Sequence, residues 1–183
     1  RGHIEMRYGR IDLCELVRGA AEAASLGCFD RKVELTLSVP ALPLWLEGDA
    51  ARLSQALCNV LNNAIKFTDA GGGVAVRLLR DGEHARVLVS DTGIGIAADQ
   101  LPFVFEMFMQ AEPTHERSRS GLGIGLALVK QLVEVHGGSV AMRSRGLGRG
   151  CEFEMRLPLT ASVGAPGEAA VAPASTLPVR GRR

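Results

Sequence analysis

Apolar positions along this chain switch repeatedly between helical and strand spacing. Leu13, Leu16, Val17, Ala20, Ala21 and Ala24 recur at helical intervals, with Asp12 placed to cap the start and Gly27 to end the helix. Val33 to Val39 alternates apolar and polar residues and predicts a strand. Pro40 and Pro43 mark a loop, and Leu44-Trp45-Leu46-Glu47 reads as a short strand. Gly48-Asp49 then introduces a helix over about residues 50–67, whose stripe is Leu53, Ala56, Leu57, Val60, Leu61, Ala64 and Ile65. At about 100° per residue, Asn59, Asn63 and Lys66 fall within roughly 60° of one another on the border of that stripe. Two amides and an ammonium are thereby held at the edge of a core, pointing one way.

Gly71-Gly72-Gly73 predicts a turn, and Val74–Leu79 with Ala85–Ser90 a hairpin around Asp81-Gly82. The second of these strands ends at Asp91-Thr92-Gly93-Ile94-Gly95-Ile96. Leu101–Met109 contains Phe103, Phe105 and Phe108, half of the six phenylalanines. From Gln110 to Ser120 the chain is polar, without an apolar period, and reads as a mobile loop. Gly121-Leu122-Gly123-Ile124-Gly125-Leu126 runs straight into a helix that continues to about His136, where Gly137-Gly138 stops it. Ser139–Ser144 and Cys151–Leu157 predict a closing hairpin. From Leu159 the composition turns to Ala, Pro, Gly, Val and Ser without a period, a linker signature for which no packed structure is expected. No internal repeat is visible.

Bulk properties narrow the choice of function. The chain has 183 residues, 46% of them hydrophobic, which suits one ordinary domain plus tails. A formal charge of +1 disfavours an electrostatic nucleic-acid binder, which needs a basic face. No apolar run approaches the roughly 18 residues of a membrane span, and no secretory pattern opens the chain. The expectation is therefore a cytoplasmic domain, or the cytoplasmic part of a membrane-bound protein, that makes no membrane contact of its own. The four cysteines are scattered and read as reduced thiols, and the four histidines are equally dispersed, so no metal held by protein ligands alone is proposed.

Three stretches carry candidate chemistry. A strand that delivers Asp91 into a turn with Gly93 and Gly95 offers a carboxylate to a ligand amine and lets that ligand approach the backbone; an ordinary turn after a strand uses the same residues. The glycine loop Gly121, Gly123 and Gly125 at a helix start is either a phosphate cradle or a hinge. It lacks the spacing of a dinucleotide fold and the Gly-Lys-Ser/Thr of a P-loop. An Asn carbonyl is a hard neutral oxygen of the kind Mg²⁺ accepts beside phosphate and water, and Lys66 supplies a point charge for phosphate.

Together these stretches resemble a known family. Asn59-Val60-Leu61-Asn62-Asn63-Ala64-Ile65-Lys66-Phe67-Thr68 resembles the N box of sensor histidine kinases, and Asp91–Ile96 their first glycine box. Phe105-Glu106-Met107-Phe108 resembles the F box, and Gly121–Leu126 the second glycine box. The four occur in family order, and the likeness runs from about residue 10 to residue 158, flanked by the end of a preceding helical or linker segment at 1–9 and a flexible linker at 159–183.

The resemblance implies an α+β fold, the two-layer left-handed βαβ sandwich of the GHKL (Bergerat) superfamily, with a mixed sheet, helices on one face and a mobile ATP lid at Gln110–Ser120. It implies ATP and Mg²⁺ as cofactors. Asn63 would bind Mg²⁺ with Asn59 beside it, and Lys66 and Phe67 would approach phosphates and adenine. Asp91 would receive the adenine amine, Gly93, Gly95 and Ile96 would line the base, and Gly95 would give it room. Phe108, Arg117, Gly121, Leu122, Gly123, Gly125 and Leu126 would complete the pocket and lid. Leu122 stands where many relatives have Thr, Ser120 where many have Gly, and Cys151 where Ser or Thr is common.

The implied activity is transfer of the γ-phosphoryl of Mg·ATP to a histidine on a separate helical dimerisation domain, with a response-regulator receiver as a further partner. Hydrolysing members of the superfamily place a Glu at the position of Asn59; an amide cannot take a proton from water. His3, His84, His115 and His136 do not fit an acceptor motif. The alternatives are a degenerate ATP-binding scaffold of the same fold, a GHKL ATPase, and a Ser/Thr-directed relative. The basic stretch closing the linker suggests a lead-in to a receiver domain.

Overall fold

The structure is a computed structural model that describes residues 6–106 and 125–160. Among the described residues, seven strands and three α-helices follow in the order β1 (Gly9–Asp12), α1 (Leu13–Arg31), β2 (Glu34–Ser38), β3 (Trp45–Gly48), α2 (Ala50–Phe67), β4 (Gly73–Asp81), β5 (His84–Asp91), α3 (Gly125–Val135), β6 (Ser139–Ser144) and β7 (Cys151–Pro158). A short 3-10 turn, Leu101–Phe103, lies between β5 and α3. The main sheet has the order β2-β4-β5-β7-β6; β2 and β4 are parallel and the other neighbours antiparallel. β1 and β3 form a separate antiparallel pair.

Strand alternation makes this sheet one-sided. Val74, Val76 and Leu78 of β4, Ala85, Val87 and Val89 of β5, and Phe153, Met155 and Leu157 of β7 are all buried with the helices in a single core. The other face carries a charge lattice. Arg86 meets Glu154 at 2.7 Å, Arg143 reaches Glu154 at 3.0 Å and Glu152 at 3.4 Å, and Arg156 lies 3.6 Å from Asp81. Opposite charges on neighbouring strands satisfy one another on a face that none of the described helices covers. The expected mixed sheet with helices on one face is therefore the fold observed.

α2 is the central helix, packed between α1 and α3. Asp49 caps it by accepting from Arg52 N at 3.1 Å, and its stripe Leu53, Ala56, Leu57, Val60, Leu61, Ala64 and Ile65 is buried as the spacing predicts. Asp49 also accepts from Arg7 N at 2.8 Å, and these backbone donors hold its carboxyl below the usual aspartate range. His136, just past α3, is buried and accepts at Nε2 from Asp49 N at 2.9 Å. Its Nδ1 must then carry the proton, which it donates to Leu132 O at 2.6 Å. The end of α3 is in this way bonded to the start of α2.

Three local expectations shift. α1 does not stop at Gly27; it runs to Arg31, because Cys28 is also buried against the core. Lys32 ends it in the left-handed region at φ 56°, with its N–H on the carbonyls of Cys28 and Phe29. Residues 9–12, read as the tail of a preceding segment and a lead-in to a helix, form β1 against β3. At the other end Leu159 and Thr160 still belong to the packed body, their N–H groups bonded to Glu83 O and Trp45 O.

Candidate functional site

Asp91 keeps the parity of Ala85, Val87 and Val89, so β5 delivers its carboxylate to the helix-covered side of the sheet. Oδ1 accepts from Gly93 N at 2.8 Å and from Cys151 N at 3.2 Å. Among the described residues Oδ2 has no hydrogen-bond partner, and Asp91 lines an open cavity of about 470 Å³. Burial pushes the carboxyl above its ordinary range, against the two backbone donors that pull it down. One oxygen is therefore fixed by the protein and the other is not.

The loop after Asp91 is tied in on both sides. Ile94 N donates to Phe67 O at 3.1 Å, joining it to the end of α2. Gly148 N donates to Ile94 O at 2.7 Å, Gly150 N to Gly93 O at 3.1 Å, and Ile96 N to Ser144 Oγ at 3.0 Å, joining it to the β6–β7 connection. Glycine is needed where these backbones meet. A Cβ on Gly93 would overlap Phe67 O, and Gly95, at φ +69°, faces Gly146 O just as closely. The close neighbour of Gly95 is thus protein backbone, a reason for glycine that differs from the room for a base inferred from the resemblance.

Gly150, at φ +65°, would drive a Cβ into Asp91 O, whereas Gly148, at φ +71°, has nothing within 4 Å. Gly148→Ala should then cost only the left-handed strain of about 1–2 kcal/mol. Gly150→Ala should cost a further 1–3 kcal/mol or so of overpacking and weaken ligand binding at Asp91. Denaturant unfolding of the two variants side by side checks this; equal losses would remove the contact from the account.

The second half of the candidate set lies along α2. Asn59, Asn63 and Lys66 are half-buried on the border of its core stripe, as the spacing requires. Lys66 Nζ sits 5.1 Å from the centre of the exposed Phe67 ring. Asn63 Nδ2 lies 3.8 Å from where a Cβ on Gly125 would stand, so the amide faces the first residue of α3. Leu126, next along, is half-buried against the core. The structure therefore assembles two groups, Asp91-Gly93-Gly95-Ile96 with Phe67, and Asn63 with Gly125, and α2 links them. Phe105 packs on Phe153 with ring centres 6.4 Å apart. Phe108, Arg117, Gly121, Leu122, Gly123 and the predicted lid lie outside the described residues.

Residue-by-residue reading missed the supports. Thr92 Oγ1 accepts from Gly73 N at 2.9 Å, and the buried Thr68 hydroxyl donates to Ala64 O at 2.7 Å. Ser144 Oγ donates to Gly150 O at 2.8 Å besides accepting from Ile96 N. Cys151 bonds Asp91 through its main-chain N–H, which any residue except proline provides, so the missing hydroxyl at this position does not cost that bond. Its thiol is pushed up to about 11 by burial and by the charge of Asp91, which keeps it protonated and unreactive at neutral pH. The available signal was positional: Cys151 opens β7 on the core-facing parity, at the same end of the sheet as Asp91.

Comparison with known proteins points to one family. Residues 48–161 match the family described as histidine kinase-, DNA gyrase B-, and HSP90-like ATPase. An uncharacterized sensor-like histidine kinase of Rhizobium meliloti is 37% identical over 172 residues, 94% of this chain and 33% of that protein. The chain thus spans about a third of the length of that relative. Among solved structures, a mycobacterial sensor histidine kinase, MprB, is similar with a TM-score of 0.71 and 32% identity over 84% of this chain and 98% of that one. Full-length ShkA in complex with AMPPNP is similar with a TM-score of 0.74 and 34% identity, over 89% of this chain and 33% of that one. The fold, the match of family and the motif order agree: this chain belongs to the histidine kinase-, DNA gyrase B- and HSP90-like ATPases, as the ATP-binding catalytic domain of a histidine kinase.

Proposed function

We propose that the domain binds Mg·ATP and passes its γ-phosphoryl to a histidine on a dimerisation domain, which in turn serves a response-regulator receiver. The observation that carries this reading is the half-used carboxylate. Asp91 has one oxygen committed to Gly93 and Cys151 and one open, on a loop bonded to the helix that holds Asn63 and Lys66. An exocyclic amine on Asp91 would put the base at the β5 end of the sheet. The phosphates would then lie toward α2, within reach of the Lys66 ammonium and the start of α3.

The donors present fit a magnesium ion carried by phosphate. Asn63 offers one neutral amide oxygen, and its amide stands opposite Gly125 at the start of α3. Such an ion would supply charge neutralisation at the transferring phosphoryl group. The protein's own part is positioning: Asp91 holds the base, Lys66 screens negative charge, and Asn63 orients the ion. Asn59 bears on the choice of acceptor. Its amide cannot deprotonate water, so this helix supports transfer to a protein nucleophile over hydrolysis.

The test supplies the domain with ATP labelled at the γ-position and a separately made dimerisation domain carrying its acceptor histidine. Acid-labile, base-stable label on that partner is the expected outcome. ATP binding without any such label would favour the scaffold reading, and steady release of phosphate without partner labelling would favour an ATPase.

A further inference from the structure

Two arginines share the cavity wall with Asp91. The cavity is lined by Asp91, Thr92, Arg145, Gly148 and Arg149, whereas Asn63, Lys66 and Gly125 take no part in it. Arg145 and Arg149 therefore stand on the side of the site where the carboxylate is, away from the group on α2. Their connection is fixed to the Asp91 loop by Gly148 N on Ile94 O, Gly150 N on Gly93 O and Ile96 N on Ser144 Oγ. The backbone that carries both side chains is thus held in register with the carboxylate.

Their pairing also differs from that of their neighbours. Arg143 and Arg156, on the strands either side of the connection, each meet a carboxylate. Arg145 and Arg149 form no ion pair among the described residues, although Asp91 lines the same cavity. Two guanidinium groups and a carboxylate lining one cavity without contact match a ligand that offers an amine to the acid. To the arginines it can offer an anion or an electron-rich flat ring with nitrogen acceptors, and the candidate phosphate contacts Asn63 and Lys66 lie outside this cavity, which favours the ring. An aminopurine has this combination.

We propose that Arg145 and Arg149 are specificity residues of the nucleotide site, covering the purine by stacking and by N–H donation to its ring nitrogens, and making no contact with the phosphates. This inference rests on the ATP reading above. Guanidinium stacked on an aromatic face is a recognised attraction, and a lysine's compact ammonium does not reproduce its planar fork.

The experiment measures ATP and ADP affinity by calorimetry for the unaltered chain and for Arg145→Ala, Arg149→Ala, Arg145→Lys and Arg149→Lys. Both residues are exposed, and thermal melts without nucleotide are to check that the variants fold. Each alanine variant should weaken ATP and ADP by the same factor, about three- to tenfold, and lysine should not restore the loss. Unchanged affinity in both alanine variants would overturn the proposal. Recovery by lysine, or a loss confined to ATP, would overturn it equally, because either marks a charge contact to phosphate. Failure of the unaltered chain to bind ATP at all would bring down the underlying reading instead.

Discussion

Replacing Asn63 by alanine should reduce phosphoryl transfer on the order of 10²-fold or more while leaving the folded domain as stable as before. The two halves of this expectation have separate causes. Asn63 sits half-buried beside the apolar stripe of α2, and its amide faces Gly125 at the start of α3. Alanine keeps the stripe intact and favours helix more than asparagine does, so the midpoint should stay level or rise by a few tenths of a kcal/mol. What disappears, on the proposed reading, is a neutral oxygen that would orient magnesium against the phosphates, an interaction needed at the transferring group and nowhere in the core. Asn62→Ala serves as the control, since Asn62 is exposed one position along the same helix. Initial transfer rates at saturating Mg·ATP, read together with a thermal melt, decide the matter. Magnesium-dependent transfer at the unaltered rate would move the metal site elsewhere, and a large fall in the midpoint would reassign Asn63 to a structural role.

Where the sequence was legible, periodicity met burial directly. α2 is the clearest case: seven apolar residues at helical spacing are the seven buried ones, so the border carrying Asn59, Asn63 and Lys66 followed from the count alone. β5 was legible for the same reason, since alternation over Ala85, Val87 and Val89 also fixes the side on which Asp91 emerges. β1 was not. Four residues carry too little pattern, and only pairing with Trp45–Gly48 makes them a strand. The end of α1 was misplaced because a glycine inside a helix looks like a stop. Gly27 is helical here; Cys28 buries one position further on, and the cap falls to Lys32. The supports of Asp91 were hidden for a deeper reason. Beyond the local Gly93 N, they are the main-chain N–H of Cys151, brought across by the β5–β7 pairing, and the Ser144 hydroxyl that holds Ile96 of the same loop, and main-chain donors leave no mark on residue identity.

Asp91→Asn should weaken ATP binding by about 1.5–3 kcal/mol and at the same time stabilise the empty domain at neutral pH. The binding loss follows from hydrogen-bond polarity. With its amide oxygen kept on Gly93 N and Cys151 N, the asparagine would turn its NH₂ toward the position of Oδ2, donor against the donor amine of adenine. A guanine presents a carbonyl at that place, so the preference for ATP over GTP should collapse in the variant. The stability gain follows from burial, which holds the Asp91 carboxyl above its ordinary value of 3.8. A raised carboxyl contributes stability that is complete below 3.8 and is lost as pH rises through the folded-state value, so at pH 7 the unaltered domain has lost it. Asparagine does not titrate. The midpoint difference in favour of the variant should therefore be largest at neutral pH and shrink to its low-pH baseline as pH falls below 3.8. Calorimetry with both nucleotides and melts from pH 7 downward test the two arms separately. Equal affinity of the unaltered domain for ATP and GTP would sink the base assignment, and a midpoint difference that does not change with pH would show that the buried charge of Asp91 is not what the empty fold is working against.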